Sequence, residues 1–428
     1  MTEIESLQDS LPGIAGPQVT PMKSCRFCQS PLVTSFVDLG LSPLSNAFIP
    51  ADQAAAPDSY YPLHAYICDD CLLVQLEEFE SPSAIFSDYV YFSSYSSSWL
   101  RHAAAFCDAM IPRLGLGEGS FVMELASNDG YLLRNIVARG IRCLGVEPAA
   151  NVAAVAQQQG VPTEVVFFGA ESATQLVRQH GQADLIVANN VLAHVPNIND
   201  FTAGIAIALR PGGTVSIEFP HLLKLIENVQ FDTIYHEHYS YLSLAFIDRL
   251  FAAHGLAIWD VEELPTHGGS LRILGRHAAD SRGTTPAVES IRSAERQAGL
   301  LDVTTYGAFA PRVLGVKRDI LRFLLDAQAA GKTVAAYGAA AKGNTLLNYC
   351  GIRGDLVEFV ADLNPHKQGR LLPGSRIPVM PPDRIAERKP DYVLVLPWNL
   401  REEISEQLAL IRAWNGKFVT AIPSLRVF

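Results

Sequence analysis

The sequence predicts an α/β chain made of two open, doubly wound units behind a small metal-binding lobe. Three observations predict it. From Ser120 onward, apolar strand-like stretches alternate with helical ones, and the same alternation resumes after Gly331. Ahead of both, four of the seven cysteines stand as two CxxC pairs.

The chain has 428 residues, too many for one ordinary core, so two or three domains are expected. Hydrophobic residues make up 49% and charged residues 18%, as in a globular enzyme. No apolar run is long enough to span a bilayer, and the first residues lack the basic-then-apolar pattern of an export signal. A cytoplasmic protein with no membrane partner is expected, with residues 1–20 as a loose tail. The net charge of −11 argues against nucleic acid as a partner, because proteins that track phosphate backbones present a basic face.

The metal-binding lobe, residues 21–100, reads CRFCQSPLVTSFVDLG, then a loop with LSPLSNAFIP, then YYPLHAYICDDCLLVQL. Each CxxC lies beside a strand-like stretch, residues 32–37 and 63–67. Facing knuckles place Cys25, Cys28, Cys68 and Cys71 in the tetrahedral array of a closed, structural zinc site. Two unrelated thiol pairs are the alternative. The run SDYVYFSSYSSSWL follows, with Tyr89, Tyr91, Tyr95 and six serines. It is either an irregular connector or a segment whose hydroxyls reach an active site.

The middle unit, residues 101–285, opens with FVMELASNDGYLLRNIVARG: a strand, a tight turn at Asn128-Asp129-Gly130, and a helix. The next strand, IRCLGVEP, ends on Glu147, the position at which an acid can accept both hydroxyls of a ribose. The turn is not the GxGxxG that a pyrophosphate requires. Glu124, Ser127, Asn128 and Asp129 instead place acidic and polar groups around Gly130. That suits a cationic, phosphate-free nucleoside, which describes S-adenosylmethionine; a unit of the same fold that only binds a metabolite is the alternative. A third strand is expected at residues 165–168, with Phe167 and Phe168 flanking an adenine. The fourth, ADLIVANNVLAHVPN, carries Asn189, Asn190 and His194 to the sheet edge where such folds bind ligands, and the fifth brings Glu218 and Pro220 there.

FDTIYHEHYSYLS then sets Tyr235, His236, Glu237, His238 and Tyr239 in a row. The spacing is not HExxH, and a strand would put His236 and His238 on one face. Metal binding, ordinary buried imidazoles and acid–base chemistry are the three readings. The last has the chemistry of histidine behind it, with Glu237 as a neighbour that orients the ring. A carboxylate there would raise the imidazole pKa, so activity would climb between pH 6 and 8.

Residues 286–428 open with long helical segments to about Ala330. GKTVAAYGAAAKGNTLLNYCGI then repeats the strand–turn–helix pattern with Gly338, Lys342 and Gly343 at the turn. Further strands end at Asp362 and at Trp398-Asn399. This turn is basic where the middle one is acidic, so the unit either holds a phosphate or diphosphate or is a structural lobe.

CRFC, CDDC, DLGLSPLSNAF, YVYFSSYSSS, ELASNDGYLL, NNVLAHVPN, YHEHYSYLS, HGGSLR, AYGAAAKGNTLLNY and PHKQGRLLPGSRIPV occur in that order. Together they make the chain resemble the deoxysugar C-methyltransferases, which act on nucleotide-linked 4-keto sugars. The resemblance implies a Rossmann-like methyltransferase domain between an N-terminal zinc-binding domain and a C-terminal Rossmann-like nucleotide-sugar-binding domain. S-adenosylmethionine would be the methyl donor and a nucleoside-diphosphate 4-keto sugar the substrate, in a monomer or weak homo-oligomer. His238 would be the general base at carbon 3, assisted by Tyr235 and Glu237, with His194 and Tyr91 or Tyr89 completing the site. Tyr337, Lys342, Asn344, Trp398 and Asn399 would face the nucleotide sugar. An O- or N-methyltransferase and a non-catalytic nucleotide-sugar scaffold are the competing functions.

Overall fold

The computed structural model describes residues 23–80 and 92–428, so Tyr89, Tyr91 and the tail at 1–20 lie outside the described residues. The N-terminal lobe holds β1 (Thr34–Ser42), β2 (Ile49–Pro50), β3 (Tyr61–Ile67) and β4 (Val74–Gln75). Its antiparallel sheet runs β1-β3-β4 and is completed by β10 (Ser240–Tyr241), from just beyond the YHEH segment. Each CxxC turn closes on itself: Cys25 N–H donates to the Ser30 carbonyl and Cys68 N–H to that of Leu73, at 2.8 and 3.0 Å. The residue after each second cysteine, Gln29 or Leu72, is left-handed at φ 64° or 65°.

The middle sheet contains β5 (Phe121–Leu125), β6 (Arg142–Val146), β7 (Thr163–Glu164), β8 (Ala183–Asn189), β9 (Leu209–Pro220), β11 (Leu256–Leu264) and β12 (Ser270–His277). Its order is β11-β12-β9-β8-β5-β6-β7. β12 is antiparallel to both neighbours and every other pairing is parallel. The order therefore reverses between β5 and β8, the topological switch point at which open α/β sheets hold ligands. The expected third strand is displaced: pairing with β6 uses Thr163 and Glu164, and residues 165–168 form a loop.

The C-terminal sheet is built from β13 (Val334–Tyr337), β14 (Val360–Ala361), β16 (Val379–Met380), β17 (Tyr392–Val395), β18 (Lys417–Thr420) and β19 (Arg426–Val427). Its order, β16-β14-β13-β17-β18-β19, has its own reversal between β13 and β17. β15 (Arg370–Leu371) leaves this sheet to pair with β2 of the N-terminal lobe.

Among the described residues the N-terminal lobe has no separate interior. Phe36 and Leu63 share one core with Phe309, Val334 and Leu394 of the last third, and Phe36 stacks on Phe309 at 4.5 Å and 5°. Burying each such ring contributes on the order of 1.5–3 kcal/mol. Cys25, Cys68 and Leu73 instead join the core of the middle sheet. The lobe is thus a wedge, its knuckles on one unit and its sheet on the other. Expected boundaries are crossed accordingly: the helix Ser97–Leu114 spans residue 100, and β10 returns to the first sheet.

Candidate active site

Around the middle switch point the chain turns sharply, with Ala126, Asn128 and Gly130 at φ 53°, 51° and 78°. A side chain at Gly130 would meet Val161 at 3.0 Å, so glycine is needed for the helix to pack close. Glu147, at the tip of β6, accepts the Asn128 and Ala149 N–H groups, both at 2.9 Å, one on each carboxylate oxygen. Each oxygen keeps a second lone pair, as contact with ribose hydroxyls would need.

Ser93 and Ser94 bind the turn. Ser93 N–H donates to Asn128 Oδ1 at 2.8 Å, and the Ser94 N–H and hydroxyl both donate to Asp129 Oδ2, at 3.0 and 2.5 Å. Ser93 and Ser94 of the serine-rich run therefore hold the turn.

Burial raises the Glu124 carboxyl well above its ordinary value, and the neighbouring charges of Asp129 and Glu147 push the same way against the Tyr131 hydroxyl. Burial also raises Glu147. Among the described residues no Lys, Arg or His forms an ion pair with these three acids, while Ser127 Oγ, Asp129 Oδ1 and Asn190 Oδ1 are buried without a partner. Three unneutralised acids and spare acceptors fit a ligand carrying an ammonium and a sulfonium, so the cradle suits S-adenosylmethionine.

Phe167 and Phe168 do not both face this cradle. Phe167 is 47% exposed, and Phe168 packs edge-on against Phe201 at 5.4 Å in the helical layer. The displaced third strand explains it, since the loop turns these rings away from the pleat they were expected to continue.

The YHEH segment is a turn and not a strand: His238 N–H donates to the Tyr235 carbonyl at 2.8 Å. The turn separates the two histidines. His236 Nε2 donates to the Pro62 carbonyl at 3.2 Å, in the N-terminal lobe. His238 Nδ1 lies 2.8 Å from the Thr233 carbonyl, and since a carbonyl only accepts, Nδ1 carries the hydrogen. Its Nε2 is then the bare nitrogen and accepts the Tyr235 hydroxyl at 2.8 Å.

Burial drives the His238 pKa well below 6.5, and His194, His267 and Lys342 add to the shift against the Thr233 bond. His194, its ring 4.6 Å from that of His238, is lowered to about 4 by burial. Glu237 does not orient His238. Its carboxylate accepts Asn46 Nδ2 at 2.6 Å, and burial raises it to about 7 against Asn46 and Lys367. The expected upward shift of His238 by a neighbouring carboxylate is thus reversed, because the carboxylate points the other way and the ring is largely buried.

The HGGS loop closes one wall. His267, Gly268 and Gly269 are all left-handed, at φ 53°, 90° and 118°. A side chain at Gly268 would stand 2.4 Å from the Trp398 ring. His267 Nε2 accepts Asn190 Nδ2 at 3.3 Å, and its ring is edge-on to Trp99. Below it, Glu218 binds His102 at 2.8 Å, Arg272 at 2.9 Å and Thr266 at 3.0 Å. Burial would raise Glu218, but these partners hold it below its ordinary value.

From the C-terminal unit, Lys342 donates to Asn399 Oδ1 at 2.7 Å and sits 4.9 Å over the Trp398 ring. Trp398 Nε1 in turn donates to Asp232 Oδ2 at 2.8 Å. Lys342, Trp398 and Asn399 thus meet the segment that leads to His238. The Tyr337 hydroxyl donates to Gln407 at 3.3 Å, and Asn344 Oδ1 accepts Asn348 Nδ2 at 3.2 Å. Thr233, Asn46, Trp99, His102, His267 and Lys367 went unnoticed in the sequence. Asn46, Trp99, Thr233, His267 and Lys367 each lay in a motif or run quoted above, whereas nothing marked His102.

Cys25 and Cys71 sulfurs are 3.5 Å apart, Cys28 and Cys68 3.4 Å, and all four lie within 4.8 Å of one another. A tetrahedral zinc with Zn–S of about 2.3 Å needs sulfurs about 3.8 Å apart, which this cluster fits.

Three family models match consecutive segments of the chain. A zinc binding domain model matches residues 25–86, a methyltransferase domain 99–261, and a C-methyltransferase C-terminal domain 265–423. Solved structures with a likeness include an S-adenosylmethionine-dependent methyltransferase from Clostridium acetobutylicum, at 12% identity and TM-score 0.35 over 42% of this chain and 92% of that one. Another is the magnesium protoporphyrin IX methyltransferase of Synechocystis with bound SAH, at 13% and 0.33 over 41% and 81%. The fold, the acidic cradle and the matched domains define an S-adenosylmethionine-dependent methyltransferase with a cysteine-bound zinc. The C-methyltransferase NovU of Streptomyces niveus is 36% identical over 96% of this chain and 97% of its own length. The chain belongs to the C-methyltransferase family that these matches define.

Proposed function

We propose that the chain methylates carbon 3 of a nucleoside-diphosphate-linked 4-keto-6-deoxy sugar through an enolate, with His238 as the base. The observation that carries this reading is the hydrogen bonding of His238, with Nδ1 on the Thr233 carbonyl and Nε2 facing the Tyr235 hydroxyl. A carbon nucleophile forms at neutral pH only if a C–H is acidified, as an adjacent ketone does, and if an unprotonated base stands ready. Burial keeps His238 unprotonated.

Bound S-adenosylmethionine supplies the electrophilic methyl. Glu124 and Asp129 face the donor's cationic amino acid part, and Glu147 its ribose hydroxyls. His238 Nε2 takes the carbon 3 proton once the substrate displaces the Tyr235 hydroxyl from its lone pair, and His194 walls the other side of the ring. Lys342 meets the diphosphate, with Trp398 and Asn399 beside it, so the substrate lies across the seam between the two α/β units.

The test follows loss of deuterium from carbon 3 of the keto sugar, with adenosylhomocysteine replacing the donor. Wild type exchanges it; His238→Asn exchanges it about 10²–10⁴-fold more slowly and binds donor normally. Equal exchange by both proteins would sink the assignment and pass the role to His194 or a tyrosine. A methyl ether or methylamine product would make the enzyme a heteroatom methyltransferase.

A further inference from the structure

Arg26 lies between two of the zinc ligands, yet its side chain serves the catalytic loops. Its own N–H donates to Gln75 Oε1 at 2.9 Å, and Gln75 Nε2 donates to Cys25 Sγ at 3.1 Å, so the residue is fixed to the knuckle. From there the guanidinium reaches two carbonyls. One arm donates to Pro196 at 2.8 Å, two residues beyond His194; the other donates to Leu76. The guanidinium also lies 5.2 Å over the ring of Tyr239, the neighbour of His238. Among the described residues it forms no ion pair.

The two loops are laced together at the same place. Leu76 N–H donates to the Tyr239 carbonyl at 3.0 Å, Tyr239 N–H to that of Ala193 at 2.8 Å, and Ser240 pairs with Gln75. Asn199 Nδ2 donates to the Phe27 carbonyl at 2.9 Å, a second tie from the knuckle to the same region. A planar fork can hold two carbonyls at once where an ammonium holds one point.

We propose that Arg26 is a positioning residue that fixes the loops carrying His194 and His238, so that the zinc knuckle sets the geometry of the active site as well as the stability of its lobe. This rests on the base assignment above. A guanidinium bonded to one loop and stacked on the other locks their separation, and with it the contact between the two imidazole rings. Displacing a base by about an ångström costs turnover on the order of 10²-fold without touching the donor site.

The test uses the zinc-loaded full chain carrying Arg26→Lys, which keeps charge and stem, and Arg26→Met, which keeps the stem alone. Zinc content, donor affinity, turnover and hydrogen exchange of residues 190–199 and 234–242 are measured. Both variants should keep zinc and donor affinity, exchange faster in both segments, and lose about 10–100-fold in kcat. If Arg26→Met fails to fold, Arg26→Lys gives the result. Exchange unchanged in both segments overturns the proposal, and so does faster exchange with full turnover. Failure of the base assignment is a separate outcome, read from wild-type deuterium loss by His238→Asn.

Discussion

The two α/β units use the same device at their switch points and fill it with opposite charge. In each, an acid at the tip of the second strand accepts a backbone N–H of the first turn: Glu147 from Asn128 at 2.9 Å, Asp362 from Ala339 at 2.7 Å. In each, a left-handed glycine lets the turn approach its neighbour, Gly130 against Val161 and Gly338 against Pro397. Beyond that they diverge. The middle turn adds Glu124 and Asp129 and no cation, whereas the C-terminal turn adds Lys342 and Lys367, the latter bonded to the Ala339 carbonyl at 2.8 Å. The fold supplies the place, and the side chains of the turn set its charge.

The zinc wedge serves both halves of this comparison, so removing it has the largest expected effect. Structural zinc contributes on the order of 10 kcal/mol to small metal-bound domains, and Cys68 lies in the core of the middle sheet. Cys68→Ser should lose metal and solubility together, checked by elemental analysis and by the fraction of soluble protein. A soluble, zinc-free variant with native donor binding would show that the two units hold together without the wedge.

Next come the two turns themselves. Glu147→Ala should weaken S-adenosylmethionine binding by about 10–100-fold, the loss of about 1.5–3 kcal/mol from a charged acceptor, and leave nucleotide-sugar binding unchanged. Lys342→Met should do the reverse to a similar extent. Titration calorimetry with each ligand on each variant gives four affinities, and the comparison breaks if either variant weakens the wrong one. Because Glu147 also braces its turn as Asp362 does, Asp362→Ala is the control for bracing alone.

Much of this contrast was legible in the sequence. The strand–turn–helix repeats, the CxxC pairs and the sign of each turn are local patterns, and local patterns survive folding. Contacts between distant segments were not legible. Nothing near Glu237 announces that its partner is Asn46, and nothing in CRFC announces that Arg26 reaches Pro196. The third strand was placed two residues late because VVFF is more apolar than the Thr163-Glu164 pair that bonds to β6. The imidazole shift was misjudged in sign for a related reason: sequence adjacency of Glu237 and His238 says nothing of direction across a turn.

The smallest expected effect concerns pH and falls on the seam between the units, where Glu237 meets Asn46 and Lys367. His194 and His267 are held at about 4 and His238 is well below 6.5, so none of the three changes charge between pH 6 and 8. Glu237 does, because burial lifts it to about 7. A carboxyl whose folded pKa exceeds its unfolded value binds its proton more tightly when folded. Its contribution to stability is complete below the unfolded value and fades as pH rises through the folded one. Between pH 6 and 8 that loss is about 1 kcal/mol. Glu237→Gln keeps an acceptor for Asn46 and has no proton to lose, so this part of the slope should vanish. Urea unfolding of both proteins at pH 6, 7 and 8 measures it. An unchanged slope would mean that Glu237 is already ionised at pH 6, paired with Lys367, and that the seam is held by an ion pair.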